Sequence, residues 1–160
     1  GILRAFDIYQ SRVELIKNGA SRLGLSNVFS YLSDASIFNE NYGLADRVLC
    51  DVPCSGFGIA GRKPEIKYKD PDETKQLPAL QLDILINGSK YVKTGGRLVY
   101  STCTLSHSEN EKVCRKFLQQ RDNFKAVLPL PDLFNDEFIT LMPHKNNSDG
   151  FFIACFERIN

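Results

Sequence analysis

Two short stretches hold the residues best equipped for chemistry: Asp51-Val52-Pro53-Cys54 and Ser101-Thr102-Cys103-Thr104. Each follows an apolar run that reads as a buried strand, Ala45 to Cys50 before the first and Arg97 to Tyr100 before the second. In an α/β sheet the chemistry sits just past the carboxyl ends of the strands, and both stretches fall there. Two thiols and a carboxylate at neighbouring strand ends suit nucleophilic catalysis, in which a thiolate bonds transiently to the substrate. Such a site must favour the anion, because a free cysteine has a pKa of about 8.5 and is mostly thiol near neutrality. The alternative is that Cys54 and Cys103 are small buried packing residues, a role that cysteine often fills.

Two further acids close apolar runs. Ile2 to Phe6 reads as a strand ending at Asp7, and Val28 to Leu32 as a strand ending near Asp34. An acid at the end of a second strand accepts hydrogen bonds from ribose hydroxyls in dinucleotide folds. Otherwise a strand-end aspartate caps a helix or a turn. The span from Ser55 to Gln76 is long and irregular, with Gly56, Gly58, Gly61, Pro64 and Pro71. Ordered loops of that length are usually functional. Its Arg62, Lys63 and Lys67 are suited to phosphate contacts, or are solvated loop charges.

The elements that must position these residues follow from periodicity. Ser11 with Glu14 forms a capping-box pattern, and Val13, Ile16, Ala20 and Leu23 give the helix one apolar face before Gly24. Leu77 to Val92 reads as a helix terminated by Gly95-Gly96. Ser108 with Glu111 is a second capping box, opening a helix to about Gln120. Phe124 to Leu128, Phe138 to Met142 and Phe151 to Phe156 read as strands. Strand–helix alternation with a β-rich tail argues a mostly parallel α/β sheet.

The length of 160 residues is one domain's worth, and an apolar fraction of 42% supports a core. No apolar run approaches a membrane span, and no signal-peptide pattern opens the chain. A net charge of +1 is weak for a protein that grips nucleic acid unaided. Five irregularly spaced cysteines argue reduced cytoplasmic thiols rather than a disulfide framework. Cys50, Cys114 and Cys155 are assigned to packing, and His107 and His144 to no site. With no second paired-ligand motif, no metal site is expected.

Asp51-Val52-Pro53-Cys54-Ser55-Gly56-Phe57-Gly58, followed by Tyr100-Ser101-Thr102-Cys103-Thr104, resembles the NOL1/NOP2/Sun family of RNA cytosine-5 methyltransferases. Further matches are Arg62-Lys63-Pro64-Glu65-Ile66-Lys67, Tyr91-Val92-Lys93-Thr94-Gly95-Gly96 and Asp149-Gly150-Phe151-Phe152, so the likeness covers essentially the whole chain. It implies a Rossmann-like S-adenosylmethionine-dependent methyltransferase fold whose last strands form an antiparallel hairpin. It implies that the chain starts at the second strand. On that basis residues 1–160 are expected to be a partial catalytic domain, lacking the first strand and the Gly-rich cofactor loop and inactive alone. The remaining sheet is expected to close up or self-associate.

The resemblance also implies roles. Cys103 is the nucleophile on carbon 6 of cytosine, Cys54 assists product release, and Asp51 meets the cytosine edge and the cofactor. Asp7 is placed at the cofactor ribose and Asp34 near its adenine, while Arg62, Lys63 and Lys67 are placed on RNA. The substrate expected is ribosomal RNA of the small subunit, with an upstream domain supplying RNA grip. Two rivals stand beside this reading: a transfer RNA methyltransferase of the same family, and a non-catalytic RNA-binding or assembly module on the same fold.

Overall fold

The computed structural model describes residues 1–160, the side chain of residue 71 excepted. The chain divides into two compact units, residues 1–39 and 40–160. The first is a strand–helix–strand unit: β1 (Leu3–Asp7), α1 (Gln10–Arg22) and β2 (Val28–Leu32). The strands run parallel, from Leu3 opposite Val28 to Asp7 opposite Leu32. Val13 and Ala20, two turns apart on the predicted apolar face, are buried. Gly24, at φ +68°, supplies the left-handed residue that closes α1. The capping box at Ser11 is not used. The helix begins two residues earlier than that box sets it, and Tyr9 at its N-cap donates its backbone N–H to Oδ1 of Asp7 at 2.9 Å. Glu14 instead accepts from Gln10 Nε2 at 3.2 Å.

The second unit contains β3 (Ala45–Asp51), α2 (Pro71–Thr74), α3 (Leu77–Ser89), β4 (Val92–Thr102), α4 (Glu111–Gln120), β5 (Phe124–Val127), β6 (Phe138–Leu141), α5 (Pro143–Asn146) and β7 (Phe151–Arg158). β3 and β4 are parallel, with α3 as their crossover, and β7 is antiparallel to β4. The far edge of β7 is shared: β5 pairs with its C-terminal half and β6 with its N-terminal half. Predicted strand bounds hold to within two residues, except that β4 begins at Val92 rather than Arg97; the antiparallel tail is present, and with three antiparallel pairings beside two parallel ones the strand pairing is mixed rather than mostly parallel.

Three expectations change. The helix ends at Ser89, and Gly95-Gly96 lie inside β4, where the β3–β4 register shifts between Ala45 and Arg47. The glycines serve that bulge: Gly95 has φ +74°, and a Cβ on Gly96 would lie 2.8 Å from Lys93 O. α4 starts at Glu111 with Asn110 as N-cap, so Ser108 caps nothing and bonds Ser106 instead. The strands form two sheets, β1–β2 and β3-β4-β7-β5 with β6 on β7, rather than one closed-up sheet. Among the described residues no helix is long and apolar enough to cross a membrane.

The core lies between the sheet of the second unit and α3 and α4. Leu98, Tyr100, Phe152, Ala154 and Phe156 from the strands meet Leu85, Val113, Cys114 and Phe117 from the helices, all without exposed surface beyond 1%. Phe117 anchors it, with ring centroids 4.9 Å from Phe156 and 5.4 Å from Phe124. α3 packs closely on β3 because Gly88 has no side chain: a Cβ there would sit 2.6 Å from Cys50 Sγ. This contact sets a prediction. Ala normally gains about 1 kcal/mol over Gly inside a helix, whereas overpacking costs about 1–3 kcal/mol, and here overpacking wins. Gly88→Ala should lower the denaturant midpoint of the purified protein, and adding Cys50→Ala should restore much of it. A Gly88→Ala midpoint at or above wild type would contradict the packing.

Candidate active site

β3 and β4 pair in register with Asp51 opposite Ser101. The pairing is reinforced by side chains, Ser101 Oγ donating to Asp51 Oδ1 at 2.9 Å. β3 ends at Asp51 and β4 one residue past Ser101, at Thr102. Cys103 comes two residues after Ser101 and Cys54 three after Asp51, so both thiols emerge at one carboxyl edge. Their sulfurs lie 3.3 Å apart. The structure thus brings together Asp51, Cys54 and Cys103, as predicted.

Burial pushes the Cys54 thiol up to about 12, with the hydrogen bond to Cys103 adding to the rise. Cys54 therefore keeps its proton near neutrality and sits as an S–H beside the Cys103 sulfur. That disfavours Cys54 as an attacking thiolate.

A buried polar network carries the two cysteine loops, and sequence reasoning missed it. Ser55 and Thr104 hydroxyls meet at 2.7 Å. Ser55 N–H donates to Glu109 Oε2 at 2.9 Å, and Gln81 Nε2 donates to the same oxygen at 3.0 Å and to Pro53 O at 2.9 Å. Asn110 accepts from Thr102 Oγ1 at 2.6 Å and donates to Thr104 O at 3.0 Å. Lys69 Nζ reaches Ser55 O at 2.9 Å, closing the irregular loop onto the Cys54 turn. No charge-pairing or metal-type motif marks Glu109, Gln81 or Asn110 in the sequence. The one available signal was an acid and an amide just ahead of a helix start, which reads as capping.

The glycines of the Pro-Cys stretch serve backbone contact. Gly58 N–H donates to Cys103 O at 3.0 Å, and Gly150 N–H donates to Gly58 O at 2.9 Å. A Cβ on Gly58 would lie 2.1 Å from Gly150 O and 2.8 Å from Cys103 O, so no side chain fits. Arg62 Nε pairs with Asp149 Oδ2 at 2.9 Å, tying the basic loop to the same turn.

The remaining predicted residues fall as follows. Asp7 ends β1 and Asp34 follows β2 by two residues, both in the 1–39 unit, whose strand ends are joined by Ser33 N–H donating to Asp7 O at 3.0 Å. Asp34 Oδ1 accepts from both the hydroxyl and the N–H of Ser36, which holds its carboxyl below the ordinary carboxylate value. Lys63 and Lys67 are exposed on and beside the turn Pro64–Tyr68. Cys50, Cys114 and Cys155 are buried packing residues, as expected, and burial raises all three thiols. His107 pairs with Glu111 at 2.6 Å.

The Cys54 thiol gives a pH prediction. Alkylation by iodoacetamide runs through the thiolate, so its rate at Cys54 should climb with pH up to about 12. At pH 8 the site should react about 1,000-fold more slowly than an exposed free cysteine. Peptide mass spectrometry of labelled protein reads this directly. A plateau below pH 10 would contradict it.

Comparison with known proteins gives this geometry a family. The sequence model of 16S rRNA methyltransferase RsmB/F matches residues 1–157. The chain is 38% identical to the probable ribosomal RNA small subunit methyltransferase B of Bacillus subtilis (strain 168), over 99% of this chain and 38% of that protein. It is 33% identical to ribosomal RNA small subunit methyltransferase F of Escherichia coli O1:K1 / APEC, over 96% of this chain and 34% of that protein. The chain thus spans somewhat over a third of the length of these relatives. Among solved structures it superposes on NSun6 from Pyrococcus horikoshii with SFG at a TM-score of 0.86 and 27% identity, covering 100% of this chain and 42% of that one. The fold is the Rossmann-like one of methyltransferases, and the chain belongs to the 16S rRNA methyltransferase RsmB/F family.

Proposed function

We propose that the full-length protein methylates carbon 5 of cytosine in RNA, in small-subunit ribosomal RNA, through a covalent Cys103 adduct at carbon 6. The observation that carries this reading is the 3.3 Å contact between Cys54 and Cys103 at the strand end that also holds Asp51. Carbon 5 of cytosine is a poor nucleophile. Addition of the Cys103 thiolate forms the S–C6 bond and pushes the C5=C6 electrons toward carbon 5. Asp51, held by Ser101, meets the pyrimidine edge. S-adenosylmethionine, when bound, supplies the methyl group that carbon 5 takes up.

Release reverses the addition. The carbon-5 proton leaves, its bonding electrons remake C5=C6, and the S–C6 bond breaks. Cys54 gives its proton to the departing Cys103 sulfur and is reprotonated by the proton from carbon 5. Cys103 then returns its proton to solvent before the next turn. The high affinity of Cys54 for its proton disfavours it as the attacking thiolate.

Residues of this chain also suit the cofactor. Carboxylates at the ends of parallel strands accept hydrogen bonds from hydroxyls, and Asp7, Asp34 and Asp51 occupy such ends. Asp7 would hold the ribose, Asp34 would face the adenine and Asp51 would serve both cofactor and base. Arg62, Lys63 and Lys67 take RNA phosphates, Arg62 exchanging Asp149 for one. With a net charge of +1, these few cations leave most of the RNA grip to other parts of the full-length protein, which works in the cytoplasm.

The test separates the cysteines in the full-length protein. Cys103→Ala should lower methyl transfer by about a thousandfold or more and form no covalent RNA species on denaturing gels. Cys54→Ala should instead accumulate that species, because release is what fails. An adduct in Cys103→Ala and none in Cys54→Ala would reverse the roles. Unchanged 5-methylcytosine in small-subunit ribosomal RNA after gene deletion would remove the proposed substrate.

A further inference from the structure

Each cysteine is bracketed by polar side chains that lead to one dipeptide, Glu109-Asn110, directly at Cys103 and partly through Gln81 at Cys54. Around Cys54, the preceding carbonyl of Pro53 and the following N–H of Ser55 are both held: Gln81 Nε2 bridges Pro53 O and Glu109 Oε2, and Ser55 N–H donates to that same carboxylate oxygen. Around Cys103, the preceding Thr102 hydroxyl and the following Thr104 carbonyl are both held by the carboxamide of Asn110. Glu109 and Asn110 are 2% and 1% exposed. Their backbone is pinned in turn, Tyr100 donating its hydroxyl to Glu109 O at 2.5 Å.

Helix stability does not account for either side chain. Asn110 stands at the N-cap of α4, where an asparagine normally accepts from the first turn of the helix, yet it makes no capping bond and faces the cysteine loop. Glu109 is a buried carboxylate whose hydrogen-bond donors are a neutral backbone amide and a neutral carboxamide. Placing a carboxylate there is costly, and a chain selected for stability alone gains little from it.

We infer that Glu109 and Asn110 are paired positioning residues, Glu109 with Gln81 aiming Cys54 for release and Asn110 aiming Cys103 for attack. The inference rests on the cysteine roles proposed above. Neither residue needs to touch RNA; each acts through the peptide that carries a thiol. Because the two arms end on different cysteines, neighbouring substitutions have opposite effects on the covalent species.

The experiment uses the full-length protein with its RNA and S-adenosylmethionine, and reads turnover together with the covalent protein–RNA species on denaturing gels. Glu109→Ala should lower turnover about tenfold or more while the covalent species accumulates, as in Cys54→Ala. Asn110→Ala should lower turnover to a similar degree, about tenfold or more, with the covalent species reduced in parallel. Glu109→Gln keeps an acceptor oxygen and should restore release. Gln81→Met and Thr102→Val keep side-chain volume and carry the same two outcomes should either alanine variant not fold. A shared loss of folding would move both arms the same way, so adduct levels that fall together, or stay at the wild-type partition, overturn the inference. Absence of any trapped species in the Cys54→Ala control overturns the cysteine roles, and this inference with them. A trapped species there, with none in Glu109→Ala or Gln81→Met, overturns the positioning role alone.

Discussion

Everything at this site depends on one parallel pairing, Asp51 opposite Ser101. Side chains on a strand alternate between faces, so a slip of one residue would turn either loop to the other side of the sheet. The register holds Asp51 against Ser101 by hydrogen bond and delivers Cys54 and Cys103 to the same edge at 3.3 Å. What protects that register is the apolar packing of β4 between β3 and β7, with Leu98 and Tyr100 fully buried. The bulge at the far end of β4 absorbs its irregularity away from the chemistry.

Beyond the strand ends the backbone has no ladder to define it, and polar groups replace it. Ser55, Gln81, Thr102, Thr104, Glu109 and Asn110 are all buried, and their bonds substitute for sheet pairing in the loops. Such a network rigidifies when its members are satisfied and costs stability when they are not. Among the described residues Gln81 Oε1 is a buried atom of this network left without a partner. The same burial that makes these bonds strong withholds solvation from a Cys54 thiolate, so positioning and protonation state share one cause.

The strands and their terminal residues were legible because apolar runs and turn residues act locally. Val28–Leu32 was placed to the residue, and the paired Pro-Cys and Thr-Cys stretches marked the site before any contact was known. The capping boxes at Ser11 and Ser108 misled because other bonds set those helix starts, a competing local one at the first and the buried loop network at the second. Asp7 holds the Tyr9 N–H, and Asn110 is turned toward Thr102 and Thr104. Gly95-Gly96 read as a helix stop although they form a strand bulge, since glycine marks both. Glu109 was invisible because its partners Ser55 and Gln81 lie 54 and 28 positions away in sequence.

The central claim is that Cys103 forms the bond to the base. Trypsin cleavage after Arg97 and Lys112 isolates Cys103 from the other cysteines of the chain. The most direct measurement is mass spectrometry of that peptide after the full-length protein has reacted with RNA and the RNA has been digested by nuclease. The account predicts a cytidine nucleotide joined to the Cys103 peptide. The same mass found on the peptide that carries Cys54, with Cys103 unmodified, would contradict it.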